Sequence, residues 1–334
     1  MARFLIRRAL LLIPVLWGAA SLAFLGLHMV PGGIAQAILG EHATAAAVAK
    51  IEHDLGLDQP LYVQYGHFLV NSVLGRFGIS FRTHDPVFTD IAAAFPYTLQ
   101  LSGAALLLAL IVGIPAGVVA AVRRGSWADA AISTTVLVGV SMPVFWTGLL
   151  LIILGAAKLG IFPVSGAMTA GIAVAPVTGL PILDALLTGN GPAFTDIALH
   201  LALPAVTLCL FPLAFIGQMT RSSLLEVLSE DFVRTARAKG LSERATIFRH
   251  ALRAALIPVV TVVGLQLGGL LSGAILTETV FAIPGMGYLT VNAIQYRDYP
   301  VVEGVVVVTV ALFVVVNLAV DFTYALVDPR VRYA

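Results

Sequence analysis

The chain has 334 residues, of which 59% are hydrophobic and only 11% are charged, whereas soluble domains carry about 25% charged residues. This composition excludes a free soluble enzyme and predicts a protein that crosses a membrane several times. The 19 basic and 18 acidic residues leave a net charge of +1, which excludes a nucleic-acid binder that acts through bulk charge. The single cysteine, Cys209, excludes a disulfide framework.

Six stretches are long and apolar enough to cross a bilayer as helices, which takes about 20 residues each. The first is predicted to be retained rather than cleaved as a signal, because its apolar core is longer than the usual length of about 7 to 15 residues. We therefore expect an all-α polytopic membrane protein with six transmembrane helices. The stretches cover residues 9–30, 99–122, 130–157, 197–218, 254–277 and 301–327.

The basic residues indicate how these helices are oriented. Fourteen of the 19 lysines and arginines lie in the amino-terminal end, the 123–129 loop, the 219–253 loop and the tail, and five lie in the segments between. Cytoplasmic loops of membrane proteins carry the excess of basic residues. Both termini and the long basic loop are therefore predicted to lie in the cytoplasm.

These features divide the chain into three parts. Residues 1–30 contain the cytoplasmic amino end and the first helix, and residues 31–98 form an outer cap that is too small to be an independent enzyme. Residues 99–334 form the transmembrane domain, in which a cytoplasmic loop at 219–255 joins the fourth and fifth helices.

Local patterns predict structure inside the two outer segments. In the cap, helices are expected over residues 43–55 and 61–74, and turn-forming residues follow at 83–86. The second outer segment, residues 160–196, is rich in glycine and proline and nearly lacks charge. We predict that it is a semi-ordered loop at the membrane surface.

Glycines four residues apart give two of the predicted membrane helices small faces that another backbone can approach closely. Two interpretations stay open for these faces, namely packing within the chain and an interface with another subunit. The pairs are Gly113 with Gly117, Gly264 with Gly268, and Gly269 with Gly273.

The sequence lacks the residue patterns of the common catalytic sites. A nucleotide-binding phosphate loop ends in Gly-Lys followed by Ser or Thr, but Lys50, Lys158 and Lys239 each follow an alanine. No HExxH pair is present to bind zinc. We therefore predict no catalytic residue, no metal site and no ATP site in this chain.

Three acidic residues near the ends of the last two predicted helices, Glu278, Glu303 and Asp321, require an explanation. A carboxylate that faced lipid would be costly, so each is expected to face the protein interior. Glu278 and Asp321 either line a pathway or pair with an arginine of a neighbouring helix.

The most specific segment is the basic loop RSSLLEVLSEDFVRTARAKGLSERATIFRHALRAALIP, which runs from Arg221 to Pro258. Its charged and apolar residues alternate at helical spacing, and Gly240 separates two short predicted helices. It is either a surface helix that sets the topology by its positive charge or a docking element for a partner. The packing face is predicted to contain Leu224, Leu225, Leu228, Phe232, Thr235 and Ala236, and the opposite face Arg234, Arg237 and Lys239.

The segment DFVRTARAKGLSERATIFRHALRAALIPVV resembles the cytoplasmic loop of binding-protein-dependent ABC transporter permeases, specifically the first permease subunit of the dipeptide, oligopeptide and nickel family. The similarity continues in the same order along nearly the whole chain. It includes RRALLLIPVL, LGLDQPLYVQYGHFL, GRFGISFRT, VSMPVFWTGLLL, LGIFPVSG, TETVFAIPGMGYL, AIQYRDYPVVEG and DPRVRY.

The resemblance implies a transport subunit and not an enzyme. It implies a homologous second permease, two cytoplasmic ATPase subunits that dock on the paired loops, and an outer binding protein that delivers cargo to the cap. ATP and magnesium are then expected in the ATPase subunits, and the expected location is the cytoplasmic membrane of a bacterium or archaeon. Carried over to this sequence, the ATPase-contacting residues are Arg234, Thr235, Ala236, Arg237, Ala238, Lys239, Gly240 and Leu241.

The resemblance leaves several functions to compare. Dipeptides or oligopeptides are the cargo that it most often implies, and nickel, glutathione or another small solute are alternatives within the same family. An ion-coupled secondary transporter is the alternative outside the family, and it predicts charges near the bilayer midplane and often inverted repeats. Here the charges lie near the ends of the apolar stretches and no repeat is visible, which favours the ABC permease.

Overall fold

The computed structural model describes residues 2–29, 35, 39, 44–54 and 56–327. Within these residues the chain is helical, without strands, and has one isolated bridge between Ile79 and Pro86. The α-helices in chain order are α1 (Ala2–His28), α2 (Ala45–Asp54), α3 (Leu61–Val73), α4 (Val87–Val122), α5 (Trp127–Ser141), α6 (Val144–Leu151), α7 (Pro181–Leu187), α8 (Gly191–Leu228), α9 (Asp231–Ala238), α10 (Glu243–Ala245), α11 (Leu252–Gly273), α12 (Ile275–Val280), α13 (Met286–Gln295) and α14 (Tyr299–Val327).

Four of the described helical segments are long and apolar enough to cross a membrane, namely Val87–Val122, Gly191–Leu228, Glu243–Leu271 and Tyr299–Val320. Shorter apolar helical segments occupy Ile13–Gly26 and Val144–Lys158. The predicted class, an all-helical membrane protein, is thereby confirmed. The total of six spans and the orientation of the termini stay predictions.

The third predicted stretch does not form one helix, so that prediction was wrong. Helix α5 ends at Ser141, Met142 is extended, and Pro143 precedes α6. Proline lacks the amide hydrogen of a helix interior and disfavours helical angles in the preceding residue. Wider π-helical turns continue α6 over Ile152–Lys158.

The outer segments agree with the sequence only in part. Helices α2 and α3 confirm the two helices predicted in the cap, within the residues described there. The loop predicted over 160–196 is irregular only as far as Leu180, because α7 follows at Pro181 and α8 already begins at Gly191. The helix that contains residues 99–122 begins earlier than predicted, at Val87.

Helices α4 and α8 form the centre of the packing, and glycines bring them together. A Cβ added at Gly117 would lie 2.7 Å from Thr220 Cβ, and one added at Gly113 would lie 3.0 Å from the Leu213 carbonyl oxygen. The first distance is too short for a carbon atom and the second is tighter than most real contacts, so glycine favours this close approach. The intrachain interpretation of this pair is confirmed.

Helices α11 and α14 meet in the same way. A Cβ at Gly268 would lie 3.1 Å from the ring of Phe313, and one at Gly264 would collide with Val320. A Cβ added at Gly269 would meet no atom within 4 Å. The surroundings of Gly273 are outside what the structure describes. The intrachain interpretation therefore holds for Gly264 and Gly268, and the choice for the third pair stays open.

Candidate functional site

The basic loop forms a short helix, a tight turn and the start of the next long helix. The turn after α9 is closed by two hydrogen bonds, from Gly240 N to Arg237 O (2.9 Å) and from Leu241 N to Ala236 O (3.4 Å). Gly240 has φ +81°, a left-handed conformation that glycine adopts without a Cβ clash. Ser242 then caps α10 by accepting a hydrogen bond from Ala245 N. The predicted glycine joint is confirmed.

Helix α9 is attached to the membrane helices by a narrow apolar face. Val233 and Ala236 are buried, and Val233 packs in a cluster with Val118 of α4, Leu224 of α8 and Ala255 of α11. A rigid movement of α9 would therefore press on the ends of all three helices.

The predicted packing face of α9 was wrong in its phase. Phe232 is 47% exposed and Thr235 is exposed, so neither packs as expected, whereas Ala236 is buried as expected. The bend at Ser229 and Glu230 separates α8 from α9, and it rotates α9 so that Val233 and Ala236 face inward. A prediction from helical periodicity assumes that the packing face of α8 continues through this bend, and it therefore selects the wrong residues of α9.

The outward face of the turn carries the predicted cations. Arg234, Arg237 and Lys239 are exposed, as predicted. Arg237 is paired across the turn, since its Nε donates to Glu243 Oε1 at 2.8 Å. Exposed ion pairs stabilise a fold by about 0–1 kcal/mol, so this pair shapes the surface more than it stabilises the loop. Leu241, 41% exposed, adds apolar surface beside it.

A part-buried ion pair connects the loop to the neighbouring helix. Arg221 donates from Nε to Asp129 Oδ1 at 2.7 Å and from Nη2 to Oδ2 at 2.9 Å. Gly125 N also donates to Oδ2, at 3.0 Å. The Arg221 guanidinium and the Gly125 amide lower the pKa of Asp129 to about 2. The two short bonds are the bidentate geometry that favours arginine over lysine.

Glu278 is fully buried and serves as the cap of a helix. Its Oε1 accepts from Thr98 Oγ1 at 2.7 Å, and its Oε2 accepts from Gly287 N at 2.7 Å and Tyr288 N at 3.1 Å. These amides open α13, where a negative charge is favoured by the helix dipole. The predicted alternative of an arginine partner is thus wrong for Glu278. The side chain of Asp321 lies outside the described residues.

The glycines of the IPGMG sequence make room for this carboxylate. A Cβ at Gly285 would collide with the Glu278 carboxylate, and one at Gly287 would collide with Ile275. Met286 N donates to Thr98 Oγ1 at 2.8 Å, so the hydroxyl accepts one bond while it donates another. Sequence reasoning missed both the capping role of Glu278 and its partner Thr98. The available signal for a cap was the acidic residue followed by closely spaced glycines.

Two other segments converge on the same corner. Gly166 N donates to Phe281 O at 2.8 Å, and a Cβ at Gly148 would lie 3.1 Å from the Phe281 ring. Phe281 itself is buried. Gly148 of VFWTG and Gly166 of PVSG therefore meet FAIPGMG at the buried Phe281.

The end of the cap is anchored to the start of α14 by Asp298. Its carboxylate is buried and accepts from Ser80 Oγ at 2.6 Å and from the amides of Phe81 and Arg82 at 3.2 and 3.3 Å. The Arg82 guanidinium lies 4.3 Å from the centroid of the Tyr296 ring. Sequence analysis did not identify this contact, which joins the GRFGISFRT and AIQYRDYPVVEG segments.

Two family models match the chain. The model described as "Binding-protein-dependent transport system inner membrane component" matches residues 113–333. The model described as "Binding-prot-dependent transport system membrane comp, N-term" matches residues 1–102. Together they include the cap, the basic loop and the Glu278 corner.

Curated relatives are similar over their full length. The chain is 46% identical to the di/tripeptide transport system permease protein DppB of Pseudomonas aeruginosa, covering 100% of this chain and 99% of that protein. It is 44% identical to the dipeptide permease DppB of Escherichia coli K12, with coverage of 100% and 99%. The glutathione transport system permease GsiC of Escherichia coli O1:K1 is 40% identical, with 100% of both chains covered.

A solved structure shows a similar fold. A chain of the inward-facing MetNI methionine ABC transporter matches with a TM-score of 0.52 and 20% identity. The match covers 70% of this chain and 93% of that chain. At this identity the likeness concerns the arrangement of helices alone.

Proposed function

The chain belongs to the family of binding-protein-dependent transport system inner membrane components, and on that premise we propose its cargo, partners and mechanism. It is a permease subunit and not an enzyme. Its cargo is a dipeptide or a short oligopeptide. The observation that carries this cargo assignment is the 44–46% identity to dipeptide permeases over the full length of both chains.

The partners follow from the family and from the missing catalytic patterns. A second, homologous permease completes the pore, two cytoplasmic ATPase subunits hydrolyse ATP with magnesium, and an outer binding protein delivers the peptide to the cap. This chain contributes no residue to ATP hydrolysis. Both termini and the basic loop face the cytoplasm, in keeping with the distribution of the basic residues.

The turn centred on Gly240 is the proposed contact with the ATPase. Leu241 is exposed next to the turn and Phe232 is exposed on the preceding helix, and no atom lies within 4 Å of the position that a Gly240 Cβ would take. Around the turn lie the cations Arg234 and Lys239, which suit a partner surface with acidic groups. The carried-over residues from Arg234 to Leu241 are thus supported by their exposure, except for Ala236, which packs inward.

The attachment of α9 suggests how ATP-driven movement reaches the pore. Closure of the ATPase subunits would displace α9, and the buried Val233 would transmit that displacement to α4, α8 and α11. The Arg221–Asp129 pair adds α5 to the same rigid body. Packed interfaces of this kind switch between discrete arrangements instead of deforming continuously.

The decisive experiment purifies the chain with its co-expressed partners and reconstitutes the complex with the binding protein. Dipeptides should stimulate ATP hydrolysis and enter the vesicles, whereas nickel and glutathione should do neither at the same concentration. If nickel or glutathione, and no dipeptide, stimulated ATP hydrolysis, the dipeptide assignment would be wrong and that compound would be the cargo. Uptake by this chain alone, driven by an ion gradient without ATP, would refute the division of labour and favour a secondary transporter.

A further inference from the structure

A cavity of about 300 Å³ lies between the end of α1, the cap helix α3 and the start of α14. None of the functions described above uses it. Its volume is at the lower end of the range for small-molecule sites, about 300–1,000 Å³. Its lining includes Phe24, His28, Phe68, Ser72, Arg76 and Glu303.

Two polar groups at this cavity have no hydrogen-bond partner within the part of the chain that is described. The carboxylate of Glu303 accepts no hydrogen bond there, although it lies in the first turns of a membrane helix and is attracted electrostatically by His28. The Ser72 hydroxyl is buried and also lacks a hydrogen bond. Polar groups in such surroundings normally have partners, because leaving them unpaired is costly.

His28, the nearby group that could neutralise Glu303, is already engaged. Its Nδ1 lies 2.8 Å from Phe24 O, and its Nε2 lies 3.0 Å from Gln64 Oε1. The Gln64 amide nitrogen in turn donates to the carbonyl oxygens of Leu57 and Gln59, at 3.0 and 2.7 Å. This network fixes the Gln64 oxygen toward the ring, so both ring nitrogens of His28 bond to groups other than Glu303, and His28 acts on that carboxylate only through the electrostatic attraction between them.

The remaining wall is aromatic and rigid. Phe24 is buried, and the centroid of its ring lies 4.0 Å from the centroid of the His28 ring and 5.5 Å from that of the Phe68 ring. Aromatic faces attract cations, and a carboxylate beside them adds a hydrogen-bond acceptor. Arg76, an exposed cation at the same cavity, supplies the opposite charge.

We propose that this cavity binds a small zwitterion through its primary ammonium group. The ammonium donates to the Glu303 carboxylate and to the Ser72 hydroxyl, and it lies against the Phe24 and Phe68 rings. Arg76 faces the anionic part of the ligand. The same chemistry occurs in the headgroup of an ethanolamine phospholipid and in a free dipeptide, and a primary ammonium distinguishes both from choline compounds.

The test uses isothermal titration calorimetry on the full chain, purified with the subunits that accompany it. The probes are phosphoethanolamine, dialanine and phosphocholine. At least one of the first two should bind about tenfold or more tightly than phosphocholine, whose quaternary ammonium has no N–H to donate. Binding of phosphoethanolamine alone indicates a lipid headgroup site, and binding of dialanine alone indicates a peptide site.

The variant Glu303→Gln should weaken binding of the favoured probe about tenfold or more, since it removes the negative charge. The exposed Glu226→Gln removes the same charge elsewhere and should bind like the unaltered chain. Ser72→Leu keeps Glu303 but fills the cavity, so it should also abolish binding, and it serves as the test if Glu303→Gln does not fold. Equal binding of phosphocholine, no binding of either amine tighter than about 1 mM, or unchanged binding in a folded Glu303 or Ser72 variant would overturn the proposal.

Discussion

Substitution of Gly240 separates the effect of backbone strain from the effect of bulk at the proposed ATPase contact. Its φ of +81° costs a residue with a Cβ about 1–2 kcal/mol. No atom lies within 4 Å of the position that a Cβ would take, so a side chain added here has no steric clash at its Cβ. Alanine and tryptophan should therefore cost about the same stability, about 1–2 kcal/mol, and the size of the side chain should matter mainly to a partner.

The pair Gly240→Ala and Gly240→Trp tests this reasoning directly. Both variants carry the same strain and should reach the membrane at similar abundance, because insertion depends on the apolar helices and their flanking charges. The alanine variant should retain ATPase association and peptide uptake. The tryptophan variant should lose about tenfold or more in association, which corresponds to about 1.4 kcal/mol or more.

Three measurements on the same membranes are needed, namely abundance of the chain, co-purification of the ATPase subunits and ATP-driven peptide uptake. Association and uptake of Gly240→Trp at the unaltered level would show that the turn does not contact an ATPase. Equal losses in the alanine and tryptophan variants would show that strain, and not bulk, disturbs the loop. Either result would refute the contact as proposed.

Three further predictions concern other parts of the chain. Glu278→Ala removes the acceptor of two buried amides and of the Thr98 hydroxyl, each worth about 1–3 kcal/mol, so its melting temperature should fall clearly; an unchanged melting temperature would contradict the capping role. The lowered pKa of Asp129, about 2 against an ordinary 3.8, means that its pairing with Arg221 stabilises the fold above about pH 4 and is lost as the pH falls toward 2. The difference in melting temperature between Asp129→Asn and the unaltered chain should therefore shrink over that interval, and a constant difference would contradict the assignment. A cysteine that replaces Gln59 of the cap, in a chain without other cysteines, should react with a membrane-impermeant thiol reagent in intact cells. Labelling only after lysis would show that the cap faces the cytoplasm.

Much of the architecture could be predicted because it depends on composition and local spacing. An apolar stretch long enough to cross a bilayer has few alternatives to a helix, since its backbone polar groups must be satisfied internally. The turn at Gly240 was equally predictable, because a glycine after a short amphipathic helix commonly ends it. The break before α6 was missed although Pro143 signals it, because the stretch was predicted from its apolar length and the proline within it was given no weight.

The candidate sites were less predictable, because their partners are distant in sequence. Thr98 and Glu278 are separated by 180 residues, and Ser80 and Asp298 by 218. No local pattern says which hydroxyl will meet which carboxylate. The phase of α9 failed for a related reason, since the bend before it resets the direction of its side chains.

The sequence by itself determined that this protein lies in a membrane, where its basic loop turns, and that the glycine pairs at 113/117 and 264/268 permit close approach of helices. Each of these follows from residue type and spacing, which act over a few turns of helix. Only the tertiary structure decided that Glu278 caps α13, that Asp298 holds the end of the cap, and that Glu303 faces a cavity without a hydrogen bond from the described residues. These outcomes depend on which helices lie side by side, because a buried carboxylate is satisfied only by the donors that packing brings within about 3 Å.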